Sequence, residues 1–306
     1  MKRKIFWAVF ALILATTGYK LIRAAEEPKI LTTNINMDRK TVNGGASESD
    51  RHNVFFSMLG QIAESISAAA GNNLTMLAAA ANPQVKFVKI TPGMRKEEIA
   101  SLLQKKLSWD NEEKEKFMRV SGLLNGGNDE GYYYPDAYVI SKKADGYEAG
   151  RLMVGRFNEK VVSRYASSTA KIISLDTAMK IASMLEREAG GKDDMRLISG
   201  IIWNRIFKDM TLDVDATLQY AKGNEKNWWP KVEPKDKFID SPFNTYQNKG
   251  LTPAPISNPH IAAIDAALNP KKTKCIFYLH DKYRRIHCSA TYKEHVKNIE
   301  RYYGKK

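Results

Sequence analysis

The chain has 306 residues, of which 43% are hydrophobic and 27% are charged, a balance typical of a globular protein. This length is enough for one large domain or two modest ones with cores of their own. The formal net charge of +14 favours anionic partners such as lipid headgroups, cell-wall polymers or nucleic acid. Because the sequence contains no zinc-type Cys/His spacing and no RNA-binding aromatic motif, nucleic acid is not an expected partner.

The beginning of the chain predicts a membrane anchor. A basic start at residues 2–4 precedes an apolar run from 5 to about 18. Counted through Ile22, with Lys20 snorkelling to the interface, the stretch approaches the roughly 20 residues that a membrane span needs. We therefore expect segment 1–25 to be a single transmembrane helix in the cytoplasmic (inner) membrane, with the N-terminus inside and the rest exported. A cleaved signal peptide has the same order of charges and is the alternative.

The segment 26–84 starts as a polar stalk, because it mixes charge, Asn, Gly and Ser without apolar periodicity. Four apolar residues then recur at every fourth position and predict an amphipathic helix. They are Val54, Met58, Ile62 and Ile66. Packing against the main body is the favoured interpretation of this helix over a second membrane contact. The sequence assigns no role to the segment as a whole.

Residues 85–145 have the pattern of a small glycan-binding module. A strand with alternating apolar residues meets a Pro-Gly turn, and the helix after the turn should direct Ile99, Leu102 and Leu103 inward. A second helix should follow, with Ser108 or Asp110 as its N-cap. Strand, turn, helix and helix in this order suit such a module, although spacing alone does not show binding.

An acid ends the apolar face of the next predicted long helix, which starts at Ser174 as its N-cap and contains "KIASMLEREAGG". Met179, Ala182 and Glu186 follow an i, i+3, i+7 line, so the Glu186 side chain lies on the packed face. Glu188 points elsewhere, and a surface ion pair with a nearby Arg or Lys is expected for it. A carboxylate that faces the core is either a structural hydrogen bonder or a working acid.

The following helix repeats this arrangement, because Leu197, Ile201 and Asn204 share one face. Two adjacent helices that each direct a polar group inward indicate a shared buried site. Three later stretches are rich in Asp, Asn, Thr, Tyr and Pro, which suits loops that hold a hydroxylated ligand. They are "MTLDVDATLQYA", "DSPFNTYQNKGLTPAPISNPH" and "YLHDKYRRIHCSATYKEH".

The half of the chain from Ile181 to Tyr303 resembles the endolytic murein transglycosylases, the MltG or YceG-like family. The matching stretches are "ASMLEREA", "GIIWNRI", "MTLDVDATLQYA", "SPFNTYQNKGLTPAPISNP" and "EHVKNIERYY". Upstream, "ITPGMRKEEIASLLQKK" and "EGYYYPDAYVI" look like the family's LysM-like subdomain and the strand after it. The resemblance covers most of the chain except about 26–84.

The fold class expected from these elements and this resemblance is α+β. One N-terminal transmembrane helix (1–25) would be followed by the stalk and helical segment (26–84). A small LysM-like subdomain with its following strand (85–145) would precede a larger mixed α/β catalytic domain of YceG-like type (146–306).

The resemblance assigns the catalytic acid to Glu186, the first glutamate of "LEREA". It implies a membrane-anchored lytic transglycosylase that cuts the MurNAc–GlcNAc β-1,4 bond within nascent peptidoglycan strands. Such an enzyme protonates the leaving oxygen and then accepts the proton of the MurNAc 6-hydroxyl, which leaves a 1,6-anhydro-MurNAc end. One carboxyl group performs both steps if an apolar setting raises its pKa.

Six further residues are expected to bind or orient the substrate. The resemblance gives Asp215 and Thr217 a structural or substrate-orienting role. The candidates for hydrogen bonds to N-acetyl and hydroxyl groups are Asn204, Asn244, Thr245 and Tyr246. Structural alternatives remain for two of them, since Asn244 could cap a turn and Asn204 could bind backbone.

Four loop positions depart from the family pattern. Ala216 stands where the family often has Pro, and His260 replaces a common Gly. Thr252 and Ala254 interrupt the usual "GLPPG" pattern. These positions shape loops, so they bear on substrate fit more than on the reaction itself.

The two cysteines, Cys275 and Cys288, lie on two strand-like runs around the turn-like "HDKYR". If the strands pair, the two sulfur atoms could share one face of a hairpin and form a disulfide. Two buried free thiols are the favoured interpretation.

Two rival functions remain open at this stage. One is a non-catalytic peptidoglycan-binding scaffold, and the other is a lysozyme-like hydrolase, for which Asp215 is the nearest second acid. The expected partners are peptidoglycan glycan strands, the cytoplasmic membrane and, by resemblance, peptidoglycan synthases. Nothing in the sequence calls for a metal or an organic cofactor.

Overall fold

The computed structural model describes residues 82–125, 130–168 and 173–304. The predicted anchor, the stalk and the amphipathic helix of segment 26–84 lie outside these residues. Within the described ranges, no helix has the length and the apolar composition that a membrane span requires.

Helices and two small antiparallel sheets make up the described chain, in agreement with the predicted mixed α and β architecture. The strands are β1 (Val85–Lys89), β2 (Ala137–Ser141), β3 (Phe277–His280) and β4 (Ile286–Ser289). The α-helices are α1 (Lys96–Leu107), α2 (Asn111–Asn125), α3 (Gly146–Phe157), α4 (Ser163–Ser168), α5 (Leu175–Glu188), α6 (Lys192–Phe207), α7 (Asp215–Lys222), α8 (Ile261–Leu268) and α9 (Tyr292–Tyr303). A π-helical stretch (Asn158–Val162) joins α3 to α4, and a 3₁₀ turn (Pro234–Phe238) follows α7.

The first core forms between the β1–β2 sheet and helices α1 to α3. The strands pair antiparallel, with Val85 opposite Ser141. Ile99 and Leu103 of α1 are fully buried, as the sequence predicts, whereas Leu102 is only partly buried at the edge of this core. Of the two candidate N-caps for α2, Asp110 performs this role, because its Oδ1 accepts the Glu113 N–H at 2.9 Å.

Helix α3 contributes side chains to two separate cores. Met153 and Val154 belong to the first cluster of buried residues, whereas Phe157 belongs to the second. Its approach to α2 depends on glycine, since a Cβ on Gly146 would lie 2.0 Å from the Glu113 carbonyl oxygen. The helix is therefore held between both halves of the described chain.

The second core surrounds α5, which packs against α6, α7 and α8. The predicted N-cap is confirmed, because the Ser174 Oγ accepts the Thr177 N–H at 3.1 Å. Met179 and Ala182 are fully buried on the predicted face. The helix ends at Glu188, so both acids of the "LEREA" stretch lie in its last turn.

Asn258, in the loop before α8, links the two cores. This fully buried residue donates from Nδ2 to the Met94 carbonyl at 3.0 Å and to Glu130 Oε1 at 2.8 Å. Its Oδ1 accepts the Tyr133 N–H at 2.8 Å, and its own carbonyl accepts the Gly93 N–H at 2.9 Å. The loop is thereby fixed to the segments on either side of α1 and α2.

The predicted hairpin between the cysteines is present, but the expectation of free thiols is wrong. Cys275 and Cys288 form a disulfide with a Cα–Cα distance of 5.8 Å. Strands β3 and β4 pair antiparallel, which sets Tyr278 opposite Cys288. Local sequence did not fix this pairing register, and the register decides whether two sulfur atoms meet.

Candidate active site

Two carboxylates end helix α5 and contact different parts of the chain. Glu186, the acid predicted from the sequence, is partly buried, and its Oε2 accepts the main-chain N–H of His260 at 2.9 Å. The turn at Gly93 also reaches this region, because an added Cβ there would lie 3.6 Å from the Glu186 Cγ. Glu186 thus lies where the first core meets the loop fixed by Asn258.

Glu188 is partly buried and forms no ion pair with Lys or Arg among the described residues, so the expectation of a surface ion pair is wrong. Its Oε1 accepts the Ala216 N–H at 3.1 Å, and its Oε2 accepts the Tyr278 hydroxyl hydrogen at 2.9 Å. Burial raises the pKa of this carboxyl above its usual range, the nearby Asp215 charge adds to the increase, and the two hydrogen bonds oppose it. Burial is the largest of these influences, so protonated Glu188 persists to a higher pH than a surface glutamate does.

Asp215 and Tyr246 form a second polar pair next to Glu188. The Tyr246 hydroxyl donates to Asp215 Oδ1 at 2.6 Å. Burial, followed by the hydrogen bond to Asp215, raises the pKa of Tyr246, so this phenol stays protonated. Asp215 is itself exposed at the start of α7. Of the predicted substrate-binding residues, the structure therefore places these two beside a candidate acid.

Thr217, Thr245 and Asn244 are buried and bonded within the protein. The two threonine hydroxyls lie 2.9 Å apart, and Thr245 Oγ1 also accepts the Val214 N–H at 3.1 Å. Asn244 Nδ2 donates to the main-chain carbonyls of residues 237 and 239, at 3.1 and 2.8 Å. These contacts match the turn-capping alternative for Asn244. All three residues hold the α7 start and the 237–246 loop together.

Asn204 also matches its structural alternative. Its Nδ2 donates to the carbonyls of Thr273 and Cys275, both at 2.9 Å. The side chain therefore fixes the segment that leads into β3. Asn204 lines a cavity whose lining includes neither Glu186 nor Glu188, so this cavity does not bring Asn204 together with either acid.

Arg187, between the two acids, was not singled out from the sequence. Its guanidinium carbon lies 3.8 Å from the ring centre of Trp229, a cation–π arrangement. Trp229 in turn donates from Nε1 to Glu98 Oε2 at 3.2 Å. Gly93, with φ of +83°, leaves room for the arginine, because a Cβ there would lie 3.1 Å from the Arg187 Cδ. The "WWP" triplet that contains Trp229 is the only sequence signal for this contact.

Comparison with known proteins relates the chain to a protein family. The profile of the YceG-like family matches residues 61–301, which is most of the chain.

This chain belongs to the YceG-like family.

Two curated relatives are named endolytic murein transglycosylases. The protein of Bacillus subtilis (strain 168) is 35% identical over 178 residues, and that of Streptococcus pneumoniae (serotype 2, strain D39) is 27% identical over 180 residues. Each alignment covers 58% of this chain, but only 49% and 33% of the respective relatives. The YceG-like chain thus spans half or less of the length of the curated relatives it matches.

A solved structure supports the fold. The crystal structure of a yceG-like protein from Listeria monocytogenes superposes with a TM-score of 0.59 and 27% sequence identity. The superposition covers 71% of this chain and 77% of the other. The arrangement of the described elements is therefore a YceG-like fold.

All four positions that depart from the family pattern make structural contacts here. The Ala216 main chain provides the N–H that binds Glu188, and the His260 main chain provides the N–H that binds Glu186. Thr252 Oγ1 donates to the Ala254 carbonyl at 2.8 Å and closes its own loop. The family often has proline at the position of Ala216, and proline has no N–H to donate, so this contact to Glu188 depends on the departure from the family pattern.

Replacing Ala216 by Pro should therefore raise the pKa of Glu188. The Ala216 N–H stabilises the charged carboxylate, so its removal favours the protonated acid. Proline fits the first turn of a helix, and this residue is the second of α7. If protonated Glu188 is the active form, the alkaline limb of the pH–rate profile should move to higher pH. An unchanged or downward-shifted limb, measured on peptidoglycan strands, would contradict this expectation.

Proposed function

We propose that this protein is a lytic transglycosylase that cuts peptidoglycan strands at the MurNAc–GlcNAc β-1,4 bond and leaves 1,6-anhydro-MurNAc ends. Membership of the YceG-like family and the names of two relatives support this class of activity. The observation that carries the proposal is the setting of Glu188, a carboxyl group whose pKa is raised by burial and which lies near the exposed Asp215. The first step delivers a proton, so a carboxyl group that stays protonated to a higher pH than a surface glutamate suits it.

We assign the general acid and base to Glu188. The protonated carboxyl gives its proton to the glycosidic oxygen as the bond from that oxygen to C1 of MurNAc breaks. The resulting carboxylate takes the proton of the C6 hydroxyl as O6 bonds to C1. The proton returns to the same group and no water is consumed, so one carboxyl group is sufficient.

The family resemblance in the sequence assigns the role of acid and base to Glu186 instead. That assignment stays a prediction. Glu186 accepts the main-chain N–H of His260, the N-cap residue of α8. We propose that Glu186 positions this loop, while Glu188 performs the proton transfers. The support is chemical: Tyr278 and the Ala216 N–H fix both oxygens of Glu188, and burial favours its protonated form.

The surroundings of the acid suggest how the glycan would be bound. Asp215 and Tyr246 are the predicted substrate-binding residues with polar atoms next to Glu188, so we propose that they contact the sugar directly. Thr217, Thr245 and Asn244 would act through them, since their side chains bond within the protein.

Cellular placement is part of the same proposal. Segment 1–25 would anchor the chain in the cytoplasmic membrane, with the catalytic part outside, where nascent glycan strands and their synthases are found. The disulfide between Cys275 and Cys288 is consistent with an oxidising environment. We further propose that residues 85–145, which resemble a LysM-like subdomain, bind the same glycan.

Mass spectrometry of the products tests the activity. The full chain is incubated with un-crosslinked peptidoglycan strands, and we expect fragments with anhydro ends. Reducing ends would instead indicate a hydrolase, in which Asp215 would act as the second carboxylate. Intact strands that remain bound to the protein would indicate a glycan-binding scaffold, and either result would overturn the proposal.

A further inference from the structure

A largely apolar cavity of about 510 Å³ lies on the side of the second core formed by α6, α8 and the segment before β3. The residues that line it include neither acid of α5, so it is separate from the candidate active site. Its apolar walls are formed by Ile173, Trp203, Phe207, Ala267, Leu268 and Pro270. A concave surface with mostly apolar walls and a few polar groups at its rim is a common feature of binding sites.

Two stacked aromatic rings form the outer wall of the cavity. The centroids of Trp203 and Phe207 lie 5.7 Å apart, with 25° between the ring planes. Phe207 ends α6 and is 80% exposed, the highest value among the large hydrophobic residues of the described chain. A ring so exposed at the end of a helix contributes little to the core and is available to a partner.

Two exposed lysines line the same cavity, and two more are close to its lining residues in the sequence. Lys271 and Lys272 line it, Lys208 follows Phe207 directly, and Lys274 comes two residues after Lys272. None of these four lysines takes part in an ion pair within the described residues, while the nearby Asp209 is already paired with Lys249. The rim of the cavity therefore carries uncompensated positive charge.

A glycine fixes the position of this rim. The Lys271 carbonyl oxygen approaches α6 so closely that a Cβ on Gly200 would lie 2.1 Å from it. The main-chain N–H of Lys271 also donates to the Arg196 carbonyl at 2.8 Å. The lysine segment is thus held against α6, next to the aromatic wall.

We propose that this aromatic–lysine patch (Trp203, Phe207, Leu268, Lys271 and Lys272) docks on the surface of an anionic lipid bilayer. Aromatic rings inserted at headgroup level and lysines on phosphate groups are the usual features of interfacial membrane binding. A glycan fits less well, because the Asn204 side chain is already engaged by two carbonyls and little polar surface remains for hydroxyl groups. The patch would hold the catalytic part at a fixed orientation to the membrane, a role that goes beyond the proposed cleavage activity.

An environment-sensitive label at position 207 tests the proposal in the full chain. Phe207→Cys is labelled with bimane, which is selective because both native cysteines form a disulfide. The protein is reconstituted in vesicles of phosphatidylcholine, with or without phosphatidylglycerol. We expect blue-shifted emission, and quenching by lipids spin-labelled in the acyl chain, only when the anionic lipid is present. Since any anchoring by segment 1–25 is common to both vesicles, the difference reports on the patch.

Two matched controls define the outcome. The label at Phe238→Cys, an equally exposed ring outside the patch, should not respond to the anionic lipid. The double variant Lys271→Gln/Lys272→Gln should lower the equilibrium constant for docking about 30-fold, since each lysine contributes roughly 1 kcal/mol. The control variant Lys282→Gln/Lys293→Gln changes two exposed lysines that do not line the cavity, and it should leave this constant unchanged. A label at 207 that ignores lipid charge, or that responds to peptidoglycan strands instead of vesicles, would overturn the proposal.

Discussion

Glu188→Gln should lower the rate of strand cleavage by about 10²–10⁴-fold, the usual contribution of a general acid and base. Glutamine keeps the shape of the side chain, but its one amide oxygen can accept from only one of the two donors, Ala216 N–H or the Tyr278 hydroxyl. It also has no proton to deliver to the glycosidic oxygen. The rate is measured as anhydro ends released from un-crosslinked strands. A thermal melt of the variant excludes unfolding as the cause of the loss.

Glu186→Gln is the matched control, because it changes the same chemical group two residues away. Its amide oxygen can still accept the His260 N–H, so we expect a loss of about fivefold or less, equivalent to roughly 1 kcal/mol. The reverse result, an inactive Glu186→Gln with an active Glu188→Gln, would return the acid to the residue favoured by the sequence.

Asn258→Ala should lower the free energy of unfolding by about 3–5 kcal/mol, since it removes several buried hydrogen bonds at once. The Tyr133 N–H loses its acceptor, and Glu130 and the Met94 carbonyl lose a donor. All three groups lie at the contact of the two cores, where water cannot replace the amide without opening the contact. The loop that supports Glu186 should loosen as well.

Urea unfolding of the two variants Asn258→Ala and Asn248→Ala measures this effect against a control. Asn248 also donates to two carbonyls, at 2.9 and 3.0 Å, but it is exposed and water can replace it. We expect the control to lose about 1 kcal/mol or less. Equal losses in both variants would mean that Asn258 does not link the cores.

Local signals were sufficient to predict helices α1, α2, α5 and α6. The caps at Asp110 and Ser174 are short-range hydrogen bonds, and the buried Ile99 and Met179 follow helical periodicity. The hairpin near the C-terminus could also be placed, because two short apolar runs enclose a turn. Each of these features depends on residues close together in the sequence.

The candidate site depends on contacts that periodicity does not contain. Glu188 is enclosed by Ala216 and Tyr278, which lie 28 and 90 residues away in the chain. The same pattern that placed Glu186 on an inner face also placed Asn204 there, yet Asn204 binds backbone. An apolar stripe that ends on a polar residue therefore indicates that the polar side chain is enclosed. It does not indicate whether that side chain takes part in the reaction or only stabilises the structure.

The position of α3 in both cores limits how such a protein can be divided by evolution. Genetic recombination between the codons of residues 145 and 146 would combine the first core of a relative with this chain's α3. Met153 and Val154 of that helix fit the first core of this chain. A crossover after the helix would mismatch Phe157 with the second core. Exchange of the N-terminal part between relatives thus requires compensating changes along α3, so the two parts should be inherited together.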